Sequence, residues 1–249
     1  MRIWLIGGTT ESKDVANAIA DLNPVITVTT PEARNLYRDD LVVFVGVMDL
    51  EASKIFCRQH EITAIIDASH PFAVQVSQNT IAIAQELDIP YLRYDRENLA
   101  VTSHDNHLQL ASFAELLKKD HLFNQRVLLT VGCKVLPMFK SWQERTVLYA
   151  RILPKLASVK IALDSGFSSD RIIALRPPIS PALEKALLQQ WRISLIVTKA
   201  SGKAGGENTK QQLAQELGIQ LITIARPQVD YPQQTNDLQQ VRSFLNLVA

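Results

Sequence analysis

Cysteine, net charge and long apolar runs are what this chain is short of. Its two cysteines, Cys57 and Cys133, stand far apart and outside any CxxC spacing, which argues against a disulfide framework or a zinc knuckle. Lysine plus arginine number 26 against 25 aspartates plus glutamates. Such a balance gives no global field for nucleic acid or a membrane surface, so an anionic ligand has to be held by a local basic cluster. No apolar stretch approaches the ~20 residues that span a bilayer, and the opening MRIWLIGGTTES is interrupted too soon for a secretion signal. The expectation is a soluble, cytoplasmic protein. The motifs HExxH and GxSxG are missing, as is a carboxylate-rich metal loop. His104 and His107 could share a face near a helix start, but they lack the further ligands a metal needs.

What is present is an ordinary globular balance, 47% hydrophobic and 20% charged over 249 residues, long enough for two domains. Short β-branched runs alternate with longer amphipathic segments, as parallel sheets with crossover helices require. The pattern predicts strands at 2–6, 25–29, 42–46, 63–67 and 90–93, with helices at about 10–22, 49–60 and 72–87. After a polar stretch at 94–105 a second series begins. It has helices at 106–118, 156–163, 180–191, 208–217 and 236–247, a helical turn at 134–140, and strands at 126–131, 146–152, 171–174, 193–198 and 220–224. The expected fold class is α/β: two Rossmann-like, doubly wound domains with mainly parallel sheets facing across a cleft, one over 1–98 and the other over 99–249. Ligands of such sheets sit outside the carboxyl ends of the strands.

Those ends carry the chemistry. Strand 2–6 runs into GGTTES, where Gly7 and Gly8 allow a tight turn and Thr9, Thr10 and Ser12 stand at a helix start suited to a phosphate. The second strand ends without a carboxylate at the position that reads a ribose hydroxyl, and Arg34 follows. This pattern favours NADP over NAD if Arg34 meets a 2′-phosphate, and is silent if Arg34 is a solvated surface charge. Strand 63–67 ends in DASHPFA, with Asp67, Ser69 and His70 in its loop and Pro71 at the expected first turn of the next helix. Strand 193–198 ends in TKASGKAGGENTK, where Lys199, Lys203 and Lys210 interleave with Ser201, Gly202, Gly205 and Gly206, a composition that can wrap an anion. Thr130 and Gly132 in LTVGCK, Arg151 in ARILP and Arg226 in IARP stand at or just past further strand ends.

Taken together and in order, GGTTES, DASHPFA, YLRYDRE, TVGCK, ARILP, TKASGKAGG and LGIQLITIARP resemble the precorrin-6A reductase family of cobalamin biosynthesis over nearly the whole chain. The resemblance implies an NADPH-dependent reduction of one macrocycle double bond in precorrin-6A or its cobalt complex. The partner is then a small tetrapyrrole, with no nucleic acid and no membrane. By position it assigns Gly7, Gly8, Thr9 and Thr10 to the nucleotide loop, and Ser69, His70 and Pro71 to a second cofactor signature. It assigns Lys199, Ser201, Gly202, Gly205 and Gly206 to a third signature on the substrate side, where Thr130, Gly132, Arg151 and Lys210 join them. A precorrin is a flat apolar ring edged with carboxylates, so Arg93, Arg151, Lys199, Lys203, Lys210 and Arg226 are candidate rim cations. His70 and Lys199 are the candidate catalytic groups; His70 can donate a proton to the ring or hold the cofactor, and holding ranks first.

Two other readings compete. A generic NADP-dependent reductase or epimerase of a sugar or small carbonyl compound often uses Tyr-x-x-x-Lys, and none of Tyr37, Tyr91, Tyr94, Tyr149 or Tyr231 has a lysine four residues on. A non-catalytic NADP-sensing module needs no second anion loop, and the lysine–glycine segment at 198–210 speaks against it.

Overall fold

A computed structural model of the chain describes residues 1–95, 106–202 and 205–248. His104 and Lys203, singled out above, lie outside the described residues. In chain order the first half lays down β1 (Ile3–Ile6), α1 (Thr10–Ala18), β2 (Val25–Val28), a short α2 (Pro31–Arg34) and β3 (Val42–Val45). It continues with α3 (Leu50–Gln59), β4 (Ala64–Asp67), α4 (Val74–Glu86) and β5 (Tyr91–Tyr94). The second half has β6 (His107–Leu110), α5 (Phe113–Lys118), β7 (Arg126–Thr130), a 3-10 segment (Cys133–Trp142) and β8 (Val147–Ile152). After these come α6 (Leu156–Asp164), β9 (Ile172–Ala174), α7 (Pro181–Gln190), β10 (Leu195–Lys199), α8 (Glu207–Leu217) and β11 (Gln220–Ile224). The chain closes with β12 (Gln234–Thr235) and α9 (Leu238–Leu247).

These strands build two six-stranded sheets, ordered β12-β5-β4-β1-β2-β3 and β6-β11-β10-β7-β8-β9, and every pairing is parallel. Parallel central strands are buried on both faces, which is why β1 (IWLI) and β4 (AIID) are near-continuous apolar runs. Alternate side chains still divide between two cores. Ile3 and Leu5 meet Val15, Ile19, Val241 and Phe244 on one face; Trp4 and Ile6 meet Phe56, Ile65 and Ile83 on the other. In the second sheet, Leu128 and Ile196 pack with Leu188 of α7 and Leu213 of α8.

The sequence-based domain boundary needs correction at the C-terminus. The compact units are Met1–Glu97 with Pro227–Ala249, and Asn98–Arg226. The last helix buries Val241, Phe244 and Leu245, one face at i, i+3 and i+4, in the first unit's core. Arg242 anchors it to both carboxylate oxygens of Asp21 at 2.7 and 2.8 Å, and β12 adds a strand beside β5. The segment at 106–110 is likewise a strand rather than the start of a helix, because it pairs with β11 from His107↔Leu221 to Leu110↔Ile224. The helix begins only after Ser112, whose side chain accepts from the Glu115 amide at 3.2 Å.

Candidate functional site

In the first sheet the chain places β1, β2 and β3 outward in succession, then returns to set β4 on the other side of β1. The loops after β1 and β4 diverge from that switch point and leave a crevice at the strands' carboxyl ends. The Thr9 hydroxyl ties the two loops by donating to the Ala68 carbonyl at 2.9 Å.

Each residue of the Gly-Gly turn has its own reason. A Cβ on Gly7 would lie 2.1 Å from the Tyr37 hydroxyl, and Gly8 adopts φ +100°, a conformation open to glycine and strained for other residues. The Gly8 amide donates to Tyr37 Oη at 2.8 Å, and that hydroxyl also meets Ser12 Oγ at 2.5 Å. Thr9 then caps α1 reciprocally with Ser12. Tyr37 therefore supports the loop from the core side, a role with no local signal in the sequence because 29 residues separate it from Gly8.

The loop after β4 is built on a buried ion pair. Asp67 and Arg93 are both fully buried and meet at 2.9 Å. Asp67 also accepts from the Ser69 amide at 2.9 Å, the Ser77 hydroxyl at 2.6 Å and the Tyr91 hydroxyl at 2.8 Å. Burial, then the neighbouring Asp67 charge, push the Tyr91 pKa upward, so the phenol stays a neutral donor. Arg93, expected at the rim among the cations for substrate, is instead the interior partner of Asp67.

His70 is exposed at the tip of this loop. Its Nδ1 accepts from the Phe72 amide at 3.2 Å, so the neutral ring carries its proton on Nε2 and presents a donor. Pro71 precedes α4 rather than entering its first turn. The Ala73 amide donates to the His70 carbonyl at 2.7 Å, closing a turn with proline at its second position.

A pocket of about 780 Å³, measured out to open solvent, opens here. Gly7, Gly8, Thr9, Thr29, Ser69 and His70 line its mouth, while Trp4, Val28, Met48 and Val76 line its apolar part. No lysine, arginine, aspartate or glutamate is among the described lining residues, and His70 is the one ionisable side chain there near neutral pH. Arg34 is not among them either: its guanidinium donates to the Tyr37 and Arg38 carbonyls at 3.2 and 3.3 Å and lies 3.9 Å from Asp39.

The second sheet repeats the switch between β7 and β10. Thr130 donates to the Val197 carbonyl at 3.2 Å, and Gly132 follows, exposed, at φ +82°. Lys199 is half-buried with its ammonium 5.8 Å from the Phe113 ring centre; burial, aided by Lys134 and opposed by Cys133, lowers its pKa. The Gly202 amide donates to Glu207 at 2.7 Å, and a Cβ on Gly205 would collide with Ser201 Oγ. Lys210 donates to the carbonyls of Gly205 and Gly206 at 2.9 and 3.1 Å. Burial, aided by Arg151, brings its pKa down to about 8. Arg151 pairs with Glu184, and Arg226 donates to the Ala200 carbonyl at 3.0 Å. Arg151, Gly205, Gly206 and Lys210 line a second pocket, of about 670 Å³. Three of the expected rim cations, Arg151, Lys210 and Arg226, thus spend bonds on their own unit.

The family model that matches, over residues 2–246, is described as Precorrin-6x reductase CbiJ/CobK. A cobalt-precorrin-6A reductase of Synechocystis sp. is 46% identical over 249 residues, covering 97% of this chain and 95% of that protein. One from Priestia megaterium is 34% identical and covers 92% of each. A precorrin-6A reductase of Rhodococcus erythropolis is 30% identical, covering 95% of this chain and 93% of that protein. A solved structure titled CobK precorrin-6A reductase superposes with a TM-score of 0.81 at 22% identity, covering 100% of this chain and 97% of that one, and so shares the fold.

Proposed function

This chain belongs to the precorrin-6x reductase family, an oxidoreductase family of cobalamin biosynthesis, and we propose that it reduces one macrocycle double bond of cobalt-precorrin-6A with NADPH, giving the 6B form. The match along 2–246 carries the reading. The cobalt-bearing substrate is preferred because the more similar relatives carry that name.

The first unit's pocket fits a nicotinamide dinucleotide on the chemistry of its lining. Hydroxyls, glycine backbone and an apolar floor converge at a topological switch point, with no carboxylate among the described lining residues to repel a pyrophosphate. The Gly8 amide is committed to Tyr37 and the Ser12 amide to the Thr9 hydroxyl, so a phosphate at this turn is met chiefly by the positive end of α1. Bound there, the reduced nicotinamide supplies the hydride. Ser69 and His70 orient it, and His70 acts as an Nε2–H donor. To serve as the acid it would need a second proton on Nδ1, which would displace the Phe72 amide. In the second unit, Lys199 with Thr130, Gly132, Ser201 and Gly202 forms the loop we assign to substrate carboxylates. Arg151, Lys210, Gly205 and Gly206 hold the shape of that loop and its neighbouring pocket.

The test mixes the protein with cobalt-precorrin-6A or metal-free precorrin-6A and either NADPH or NADH, following loss of the reduced nicotinamide absorbance. Faster oxidation with the cobalt substrate and NADPH is expected. No oxidation in any combination overturns the reading.

A further inference from the structure

We infer that Arg93 is the positioning residue of the first unit's nucleotide pocket, and that Tyr231, from the returning C-terminal segment, holds Arg93 in that role. The inference rests on the reading that this pocket takes a nicotinamide dinucleotide. Ser69 and His70 line the pocket, whereas Arg93 does not. Arg93 nevertheless makes more bonds to the lining loop than to anything else. One guanidinium nitrogen donates to the Ser69 hydroxyl at 3.1 Å as well as to Asp67, and the other donates to the Ser69 carbonyl at 2.9 Å.

Asp67 meanwhile accepts from the Ser69 amide. The peptide units on both sides of Ser69 are therefore gripped, one by the carboxylate and one by the guanidinium, and the second of them leads directly into His70. A planar fork with donors in fixed directions can do this; an ammonium of the same charge cannot reach both Ser69 acceptors and Asp67 in one plane. The C-terminal segment closes over the other side. The Tyr231 ring centre lies 5.2 Å from the guanidinium carbon. The Arg93 and Asp95 amides each donate at 2.9 Å, to the Gln233 and Thr235 carbonyls respectively. Stacking of this kind restrains a guanidinium without consuming its donors.

An ion pair that only stabilised the fold would change the melting temperature and leave the affinity of folded protein for NADPH alone. The experiment is a titration of the full chain with NADPH beside a thermal melt, for wild type, Arg93→Lys, Tyr231→Ala and Tyr231→Phe. Arg93→Lys is expected to bind about tenfold more weakly, Tyr231→Ala about threefold more weakly, and Tyr231→Phe, which keeps the ring, as wild type. In turnover, KM for NADPH rises with kcat little changed. Folded Arg93→Lys that binds within about twofold of wild type overturns the inference. Tyr231 is half-buried and meets Arg93 through its ring, so if Arg93→Lys does not fold, equal affinity of Tyr231→Ala and Tyr231→Phe overturns the inference instead. Wild type that binds neither NADPH nor NADH removes the reading of the pocket as well, and no other outcome does.

Discussion

The two sheets share one strand order about their switch points, β5-β4-β1-β2-β3 in one and β11-β10-β7-β8-β9 in the other, yet the loops at those points use charge in opposite ways. After β4 a carboxylate and a guanidinium are buried together beneath a pocket lined by neutral groups. After β10 a glycine-rich loop is threaded among a half-buried and a buried lysine, one of which is anchored on the loop's own carbonyls. Topology fixes where a ligand can sit; it leaves open whether charge meets the ligand or shapes the loop that does. Arg93 in the first unit and Lys210 in the second both shape loops.

The sharpest way to break that contrast is to remove its buried anion. Asp67→Asn leaves the buried Arg93 with only the longer, partly exposed pair to Asp95 at 3.4 Å, at a cost of about 3 kcal/mol, read as a lowered denaturant midpoint. Lys199→Met, at the matching strand end, should cost less than about 1 kcal/mol because the stem stays packed and the ammonium is only partly buried. Equal losses would mean that the two loops are built alike after all.

Lys210 gives the next effect, and its sign is set by burial. Its folded pKa, about 8, lies below the unfolded value of 10.5, so between those values the unfolded chain binds more protons and stability rises with pH. The rise is on the order of 3 kcal/mol at most, at 1.36 kcal/mol per pH unit. Denaturant midpoints of wild type should therefore climb from pH 8 towards 10.5 relative to Lys210→Met, which lacks the titrating group. A flat difference would mean the ammonium is not buried in the folded chain.

Glycines separate the units again, at a smaller scale. In Gly7→Ala the new methyl meets Tyr37 Oη, an overpacking cost of about 1–3 kcal/mol. Tyr37→Phe should relieve part of it, and a double-mutant cycle reads the coupling, about 1 kcal/mol. Gly132 has open space around it but sits at φ +82°, ψ 155°. Gly132→Ala there costs about 1 kcal/mol or more through the backbone alone, and no side-chain replacement relieves it.

These residues also mark how far the sequence could be read. Sheet class, the central strands and the loops at their ends were legible because buried parallel strands are apolar runs with abrupt polar stops, as in IIDASHPFA. The first strand of the second unit was not: HLQL is four residues long and abuts an amphipathic helix, so its period merged into the next. Ser112 with Glu115, a capping pair, was the signal that would have split them. The return of α9 to the first unit was illegible for a different reason. An amphipathic helix shows that it has a partner, and only tertiary packing on Val15 and Ile19 says which. Asp67 as the anchor of its loop could be argued from its place at a strand end. Arg93 as its partner could not, because an arginine two residues into a strand reads the same whether it points to solvent or inward.

Arg34 carries the smallest expected effect and the cleanest discrimination. The sequence placed it where a 2′-phosphate would be met, but its guanidinium is held by the carbonyls of Tyr37 and Arg38 and lies near Asp39. If this cation too serves its own loop, Arg34→Ala should change the ratio of NADPH to NADH dissociation constants by less than about twofold. The reason for tolerating a 2′-phosphate is then the lack of a carboxylate among the described lining residues, and the preference for NADPH rests on groups other than Arg34. If instead Arg34 turns to grip the phosphate, a charge-assisted pair is lost in the variant, and NADPH alone should weaken by about tenfold or more. Titrating both dinucleotides against wild type and Arg34→Ala decides between these. The second result would make the first unit, like the Lys199 loop of the second, a place where a cation faces the ligand.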